Sequence, residues 1–292
     1  MGTAYLFYNP LAGSGQIHED LEVMEFILDD PCVCCDMTKP ETYGETLFQM
    51  SDEDYLVICG GDGTLNRFVN LTRDLRLSRQ IYWYPVGQHN DFARDHNRGY
   101  GCNPFPVTDQ LKKLPVFSTE NRKTLFLTGI LYHPNATFRR TSPHKKRYHE
   151  SVIVSAWVDG QPQRYERVQF AAVMYGKHCC GGMVPDSNRD RKDGDLSCVV
   201  IHNCGKLKAG YLLRKLEKHR KIQSGCLSIS RGIQIRLSFD RPVSLLADGE
   251  EQPGIRMLTA CVPEKQTSFP TNLDSLFQQK YPGMIPSEVN GN

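Results

Sequence analysis

Four carboxylates sit in short stretches whose composition suits chemistry. Asp62 lies in Gly60-Gly61-Asp62-Gly63-Thr64, Asp91 in Asn90-Asp91-Phe92-Ala93-Arg94, and Asp248 and Glu250 flank Gly249. The first stretch follows an apolar run at 55–59, whose Tyr, Val and Ile favour a buried strand. It precedes a segment of helical character from Leu65. Glycines let backbone N–H groups approach an anion, and a helix start adds free donors and the positive end of its dipole. Strand, glycine loop and helix start therefore read as a phosphate site. An acid inside such a loop makes sense if a divalent cation bridges it to the phosphates, or if it takes a proton from an attacking hydroxyl. A plain tight turn is the alternative, but the order Gly-Gly-Asp-Gly-Thr after a buried strand is far rarer than three loop glycines.

Two further loops carry acids. Asp190, Asp193 and Asp195 around Gly194 fit a hard-cation loop, although they lack the spacing and closing Glu of an EF-hand. A solvated turn fits them equally well. Asp248-Gly249-Glu250 ends a strand-like run, and a hairpin turn is the competing reading there.

The elements that must position these residues change character along the chain. Short apolar strands are expected at 4–8, 32–37, 55–59 and 81–85, with helices at 17–28, 41–50 and from Leu65. Strands alternating with helices imply a parallel sheet covered on its faces, with loops at the carboxyl strand ends forming the ligand edge. Asn90 or Asp91 suits the N-cap of a short helix. After the Pro-containing spacers at 103–106 and 114–115, strand-like runs follow at 125–132, 151–158, 168–175, 196–201, 233–239, 243–247 and 256–262. Asp159-Gly160 marks a turn, and helices are expected at 207–219 and 271–281. This half reads as an antiparallel β domain. The expected organisation is an α/β domain over 1–115, a β domain over 116–263 and a tail over 264–292.

Composition narrows the setting. The chain has 292 residues, long for one core, and a net charge of +2 that demands no nucleic acid. No apolar run approaches the 18 residues of a spanning helix. MGTAYLFYNP lacks the basic start and apolar core of a secretory leader, so the eleven cysteines are expected as reduced thiols in a cytoplasmic setting. The basic run from Arg139-Arg140 to Lys145-Lys146-Arg147 is either a solvated loop or a contact with an anionic membrane surface. A homodimer is compatible with the sequence.

Taken in order, Asn9-Pro10 with Gly13 and Gly15, Gly60-Gly61-Asp62-Gly63-Thr64-Leu65-Asn66, Asn90-Asp91-Phe92-Ala93-Arg94, Asp193-Gly194-Asp195-Leu196 and Asp248-Gly249-Glu250 form a pattern. It resembles that of the bacterial diacylglycerol kinase-like lipid kinases, relatives of sphingosine and ceramide kinases, over roughly residues 4–263. The glycine loop alone is shared with NAD kinases, whereas Asn-Asp-Phe-Ala-Arg with a late Asp-Gly-Glu is more specific. The resemblance implies a phosphofructokinase- and NAD kinase-like α/β domain and a β-sandwich, with ATP between them and Mg²⁺ as the metal. It also implies γ-phosphoryl transfer to a lipid hydroxyl by a protein peripheral to the inner membrane face, with diacylglycerol the first substrate expected. Carried over, Asn9, Gly13 and Gly15 border the nucleotide. Gly60, Gly61, Asp62, Gly63, Thr64, Leu65 and Asn66 hold its phosphates. Gln88, Asn90 and Asp91 lie at the cleft, Asp190, Asp193 and Asp195 form a structural metal loop, and Glu250, beside Asp248, accepts the hydroxyl proton.

Three departures are visible. Gln88-His89 replaces the family's Thr-Gly or Thr-Ala, Gly129 is followed by no aspartate, and the glycine-rich lipid-side segment survives only loosely between Gly176 and Gly182. They keep two other readings open: a catalytically silent nucleotide- or lipid-binding protein, and an NAD kinase-like enzyme.

Overall fold

The computed structural model describes residues 2–10, 16–75, 79–120, 122–133 and 151–262. Its first sheet contains β1 (Ala4–Tyr8), β2 (Cys32–Asp36), β3 (Tyr55–Cys59), β4 (Ile81–Tyr84) and β5 (Phe105–Pro106), in the order β2-β1-β3-β4-β5. The first four strands are parallel, and β5 adds an antiparallel edge. Because side chains alternate along a strand, β1 and β3 bury both faces. Leu6, Val57 and Cys59 pack against Ile17, Leu21 and Met24 of helix α1 (Ile17–Ile27). Phe7, Leu56, Ile58 and Trp83 pack against Leu65 and Phe68 of α3 (Asp62–Thr72). Helices α2 (Pro40–Gln49), α4 (Asp91–Asp95) and α5 (Thr108–Leu111) complete this half. The β3–α3 and β4–α4 loops leave neighbouring parallel strands on the same edge. Two expectations change: α3 starts at Asp62 rather than Leu65, and the spacer at 103–106 contributes β5.

The second half is antiparallel throughout. Its strands are β6 (Val116–Ser118), β7 (Lys123–Leu125), β8 (Gly129–Tyr132), β9 (Val152–Val158), β10 (Gln161–Val168), β11 (Phe170–Met174), β12 (Leu196–Ile201), β13 (Leu227–Gly232), β14 (Gln234–Ala247) and β15 (Glu250–Cys261). Strand β14 pairs with β9 through Ile235–Phe239 and with β8 through Leu245–Ala247. One long strand thereby folds the sheet over a core that includes Val154, Leu237, Val173 and Val200. On another face, Ala209, Leu212 and Leu216 of α6 (Lys206–Glu217) pack on Ala172, Val199 and Ile201.

The strand expected at 125–132 is interrupted, because the N–H groups of Leu127, Thr128 and Gly129 go to a carboxylate instead of a neighbouring strand. The basic run at 139–147 and the helix expected at 271–281 lie outside the described residues.

Candidate active site

The two glycine loops touch backbone to backbone. A Cβ on Gly87 would lie 2.2 Å from the Gly61 Cα, and one on Gly61 would lie 2.7 Å from the His89 carbonyl oxygen. Gly60 adopts φ +148°, and its carbonyl accepts from the Trp83 indole at 2.9 Å. The Asp62 N–H donates to the His89 carbonyl at 2.9 Å. Gln88 and His89 are exposed, His89 lining the cleft, so their side chains do not crowd this contact. Gly63 is different, since a Cβ there would meet no atom within 4 Å. Packing explains Gly61 and Gly87, whereas Gly63 borders open space at the start of α3.

Asp62 serves a purpose that its place in a loop motif does not reveal. Its buried carboxylate accepts the Asp91 N–H at 2.6 Å and the Phe92 N–H at 3.0 Å, and so caps α4 from the neighbouring loop. Asn90 occupies the N-cap position, but its side-chain amide donates to the Gly87 carbonyl at 2.9 Å instead. The Asn90 Oδ1 is buried with no partner among the described residues.

Asp62, His89, Asp91, Cys180, Asp248 and Glu250 line a cleft of about 470 Å³ between the two halves. Five carboxylates, Glu251 included, line it together with His89. Burial pushes the Asp62 carboxyl well above its ordinary range, and the nearby Asp91 charge adds to this, outweighing the two N–H donors. Burial raises Asp248 too.

Asp248 and Gly249 form the two-residue turn between β14 and β15, with φ +45° and +87°, and Ala247 opposes Glu250. The hairpin reading and the site reading therefore describe the same residues. The Asp248 carboxylate accepts from Leu127 N at 2.5 Å, Thr128 N and Oγ1 at 2.8 Å each, Gly129 N at 3.2 Å and Asn66 Nδ2 at 2.7 Å. It is a clamp whose lone pairs are committed. Glu250, next along, is exposed to the cleft. Asn66 is turned toward this hinge, donating also to the Leu125 carbonyl at 3.2 Å.

A second tie joins the halves. Gly181 N donates to Asp91 at 2.8 Å. Asp95, one residue past the Asn-Asp-Phe-Ala-Arg motif, accepts from Lys177 N, His178 N, the His178 ring at 2.8 Å and Arg191 at 2.8 Å. Gly176 is required here, because a Cβ would fall 2.2 Å from the Asp95 carboxylate. Burial alone would raise the Asp95 carboxyl, but its bond to His178 and the Arg191 guanidinium hold it below its ordinary range. Sequence reading missed Asp95. The available signal was its place four residues after Asp91, on the same helix face.

The other expected site residues are placed as follows. The Leu65 side chain is fully buried in the core, and its N–H bonds the Gly61 carbonyl at 3.1 Å, so it offers a ligand nothing. Thr64 is buried against Gly60. Asn9 follows the end of β1, while Gly13 and Gly15 lie outside the described residues. Asp190 and Asp193 form a reciprocal capping box around a short 3-10 turn, Asp193 also meets Arg231 at 3.2 Å, and Asp195 pairs with buried Arg189. Arg231 further bonds buried Asp186 at 2.9 Å. Among the described residues no three His, Cys, Asp or Glu groups converge as a direct chelate.

A glycine-loop α/β domain facing an antiparallel β domain across an acidic cleft defines a kinase-type architecture. Residues 3–115 match the diacylglycerol kinase catalytic domain and 134–267 match the YegS C-terminal NAD kinase beta sandwich-like domain. The chain belongs to the diacylglycerol kinase-like lipid kinase family. Curated relatives include two Staphylococcus epidermidis proteins provisionally named lipid kinases, from strains ATCC 12228 and ATCC 35984. Each is 24% identical over 274 residues, covering 84% of this chain and 89% of the relative. A Bacillus anthracis str. Sterne structure, provisionally titled a diacylglycerol kinase, matches with TM-score 0.63 at 18% identity, over 90% of this chain and 94% of that one. A second from the same strain matches with TM-score 0.62 at 16% identity, over 90% and 96%.

Proposed function

We propose that this protein transfers the γ-phosphoryl group of ATP to a lipid hydroxyl, with diacylglycerol the leading acceptor and phosphatidic acid the product. One observation carries the reading: the start of α3 and the exposed Glu250 face each other across one cleft. Phosphates laid against the open side of Gly63 would meet the Gly63 N–H at the start of α3, since the Asp62, Thr64 and Leu65 N–H groups donate to the His89 and Gly61 carbonyls. Glu250 would accept the hydroxyl proton as the lipid oxygen bonds to the γ-phosphorus and the bond to the β–γ bridging oxygen breaks, leaving ADP.

A divalent cation suits the charge of this cleft. Burial first, and the neighbouring Asp91 charge second, raise the Asp62 carboxyl, and a cation beside the pair would offset both while easing the repulsion between the cleft carboxylates and a nucleotide. Mg²⁺ is commonly held by one or two carboxylates plus substrate phosphates, so the lack of a three-ligand chelate among the described residues is compatible with it. Asp91 and Asp62 would hold it, the Asp91 carboxylate already meeting Arg94 at 2.5 Å and Gly181 N at 2.8 Å, and the Oδ1 of the adjacent Asn90 has no partner among the described residues. When bound, the ion would neutralise charge on the transferring phosphoryl group.

The test is labelled transfer from ATP with Mg²⁺ to a panel of diacylglycerol, a long-chain amino alcohol and NAD. Labelled phosphatidic acid is expected. Labelled NADP, or ATP binding by calorimetry with no turnover on any acceptor, would overturn the proposal.

A further inference from the structure

Helix α6 carries two faces with different purposes. Ala209, Leu212 and Leu216 are buried against the β domain. On the opposite stripe, at helical spacing, stand Leu207, 93% exposed, and Tyr211, 57% exposed, with Arg214 and Lys218 beyond them. Lys208 and Lys215 border one side of the stripe, and Lys215 lies over the Tyr211 ring at 4.7 Å. Arg220 and Lys221 follow, exposed. From 206 to 221 there are seven Lys or Arg against the single acid Glu217, in a chain whose whole net charge is +2.

The C-terminal end of α6 adjoins a segment of the cleft wall. The Val184 N–H donates to the Leu216 carbonyl at 3.2 Å, and the His219 ring donates to the Gly182 carbonyl at 2.7 Å. The same 179–184 segment supplies Cys180 to the cleft wall and Gly181 to Asp91.

We infer that the outer face of α6 docks on an anionic lipid bilayer, with Leu207 and Tyr211 entering the interface and the surrounding Lys and Arg facing the headgroups. Charge complementarity selects the partner. A protein groove would take the apolar pair but leave the basic edge and the basic C-terminal end unmatched, whereas an apolar strip bordered by Lys and Arg suits an anionic interfacial plane. Docking there brings the cleft to the surface that holds a lipid substrate. In purpose the inference rests on the lipid kinase reading, but the binding test does not.

The experiment is vesicle co-sedimentation of the full chain at low salt, with phosphatidylcholine alone and with phosphatidylcholine containing phosphatidylglycerol. Two double variants are compared, Leu207→Asp with Tyr211→Asp, and Arg214→Glu with Lys218→Glu, each checked for an unchanged melting temperature. The parent is expected to prefer anionic vesicles at least tenfold. The charge variant should lose about fivefold per residue, and raised salt should act the same way. The apolar variant should lose binding to both vesicle types. Equal partition of parent and variants, or tighter binding to duplex DNA lost in the same variants, would overturn the inference. Phosphorylation of a short-chain, water-soluble diacylglycerol should be unchanged in all variants. If the parent binds vesicles but fails on that soluble substrate, the kinase reading fails and the docking face stands.

Discussion

The Asp62 carboxylate holds the Asp91 backbone N–H at 2.6 Å, so the acid of one glycine loop fixes the acid that opens the next helix. The two carboxylates are thereby set on one wall of the cleft, and the position of α4 depends on a residue 29 positions earlier. Replacing Asp62 by Ala removes both accepted N–H bonds. We expect a loss of about 1–2 kcal/mol of stability, the usual worth of a helix cap, measured by denaturant titration. Phosphoryl transfer should collapse in the same variant, because Asp91 loses its placement.

Glycine substitutions should separate packing from ligand space. Gly87→Ala drives a methyl into Gly61, so it should lower the melting temperature and abolish activity together. Gly63→Ala meets nothing and sits in the first turn of a helix, so stability should hold or rise by up to about 1 kcal/mol. Its cost should appear in the apparent affinity for ATP, read by calorimetry on the folded variant.

Asp95 should govern the acid limit of stability. Its folded-state carboxyl lies below the ordinary value of 3.8, so its stabilisation is complete above that pH and is lost as pH falls through the lower folded value. Asp95→Asn should flatten the decline of stability below about pH 4 in unfolding titrations. Asp95→Ala strands the buried Arg191 guanidinium and should cost about 3–5 kcal/mol, the range for breaking a buried pair.

The first half of the fold was legible because β1, β3 and β4 are continuous apolar runs, buried on both faces, and glycine loops punctuate them. The second half hid more. Strand β10 reads QPQRYERV, exposed along most of its length, so no alternation announces it. Strand β14 looked like two strands because Asp240-Arg241-Pro242 interrupts its apolar pattern just where the register shifts. In the site, the residue types were legible but their partners were not. Asp62 to Phe92, Asp95 to Arg191 and Asp248 to Leu127 are pairings across 30, 96 and 121 positions, and no local spacing encodes them. At Asp190, Asp193 and Asp195 the acids were legible but not their arginine partners, since Arg189 and Arg231 meet Asp195 and Asp193 only in three dimensions.

In the proposed reaction Glu250 takes the proton from a lipid hydroxyl during transfer from ATP. The most direct measurement is γ-phosphate transfer from labelled ATP to dioleoylglycerol in mixed micelles with Mg²⁺, comparing the parent with Glu250→Gln. Glu250 is exposed at the start of β15, so the amide should leave folding and ATP binding intact. Labelled phosphatidic acid is expected from the parent, with a fall of about 10²–10⁴-fold in the variant. Transfer at the parental rate by Glu250→Gln, or none by the parent, would contradict the proposal.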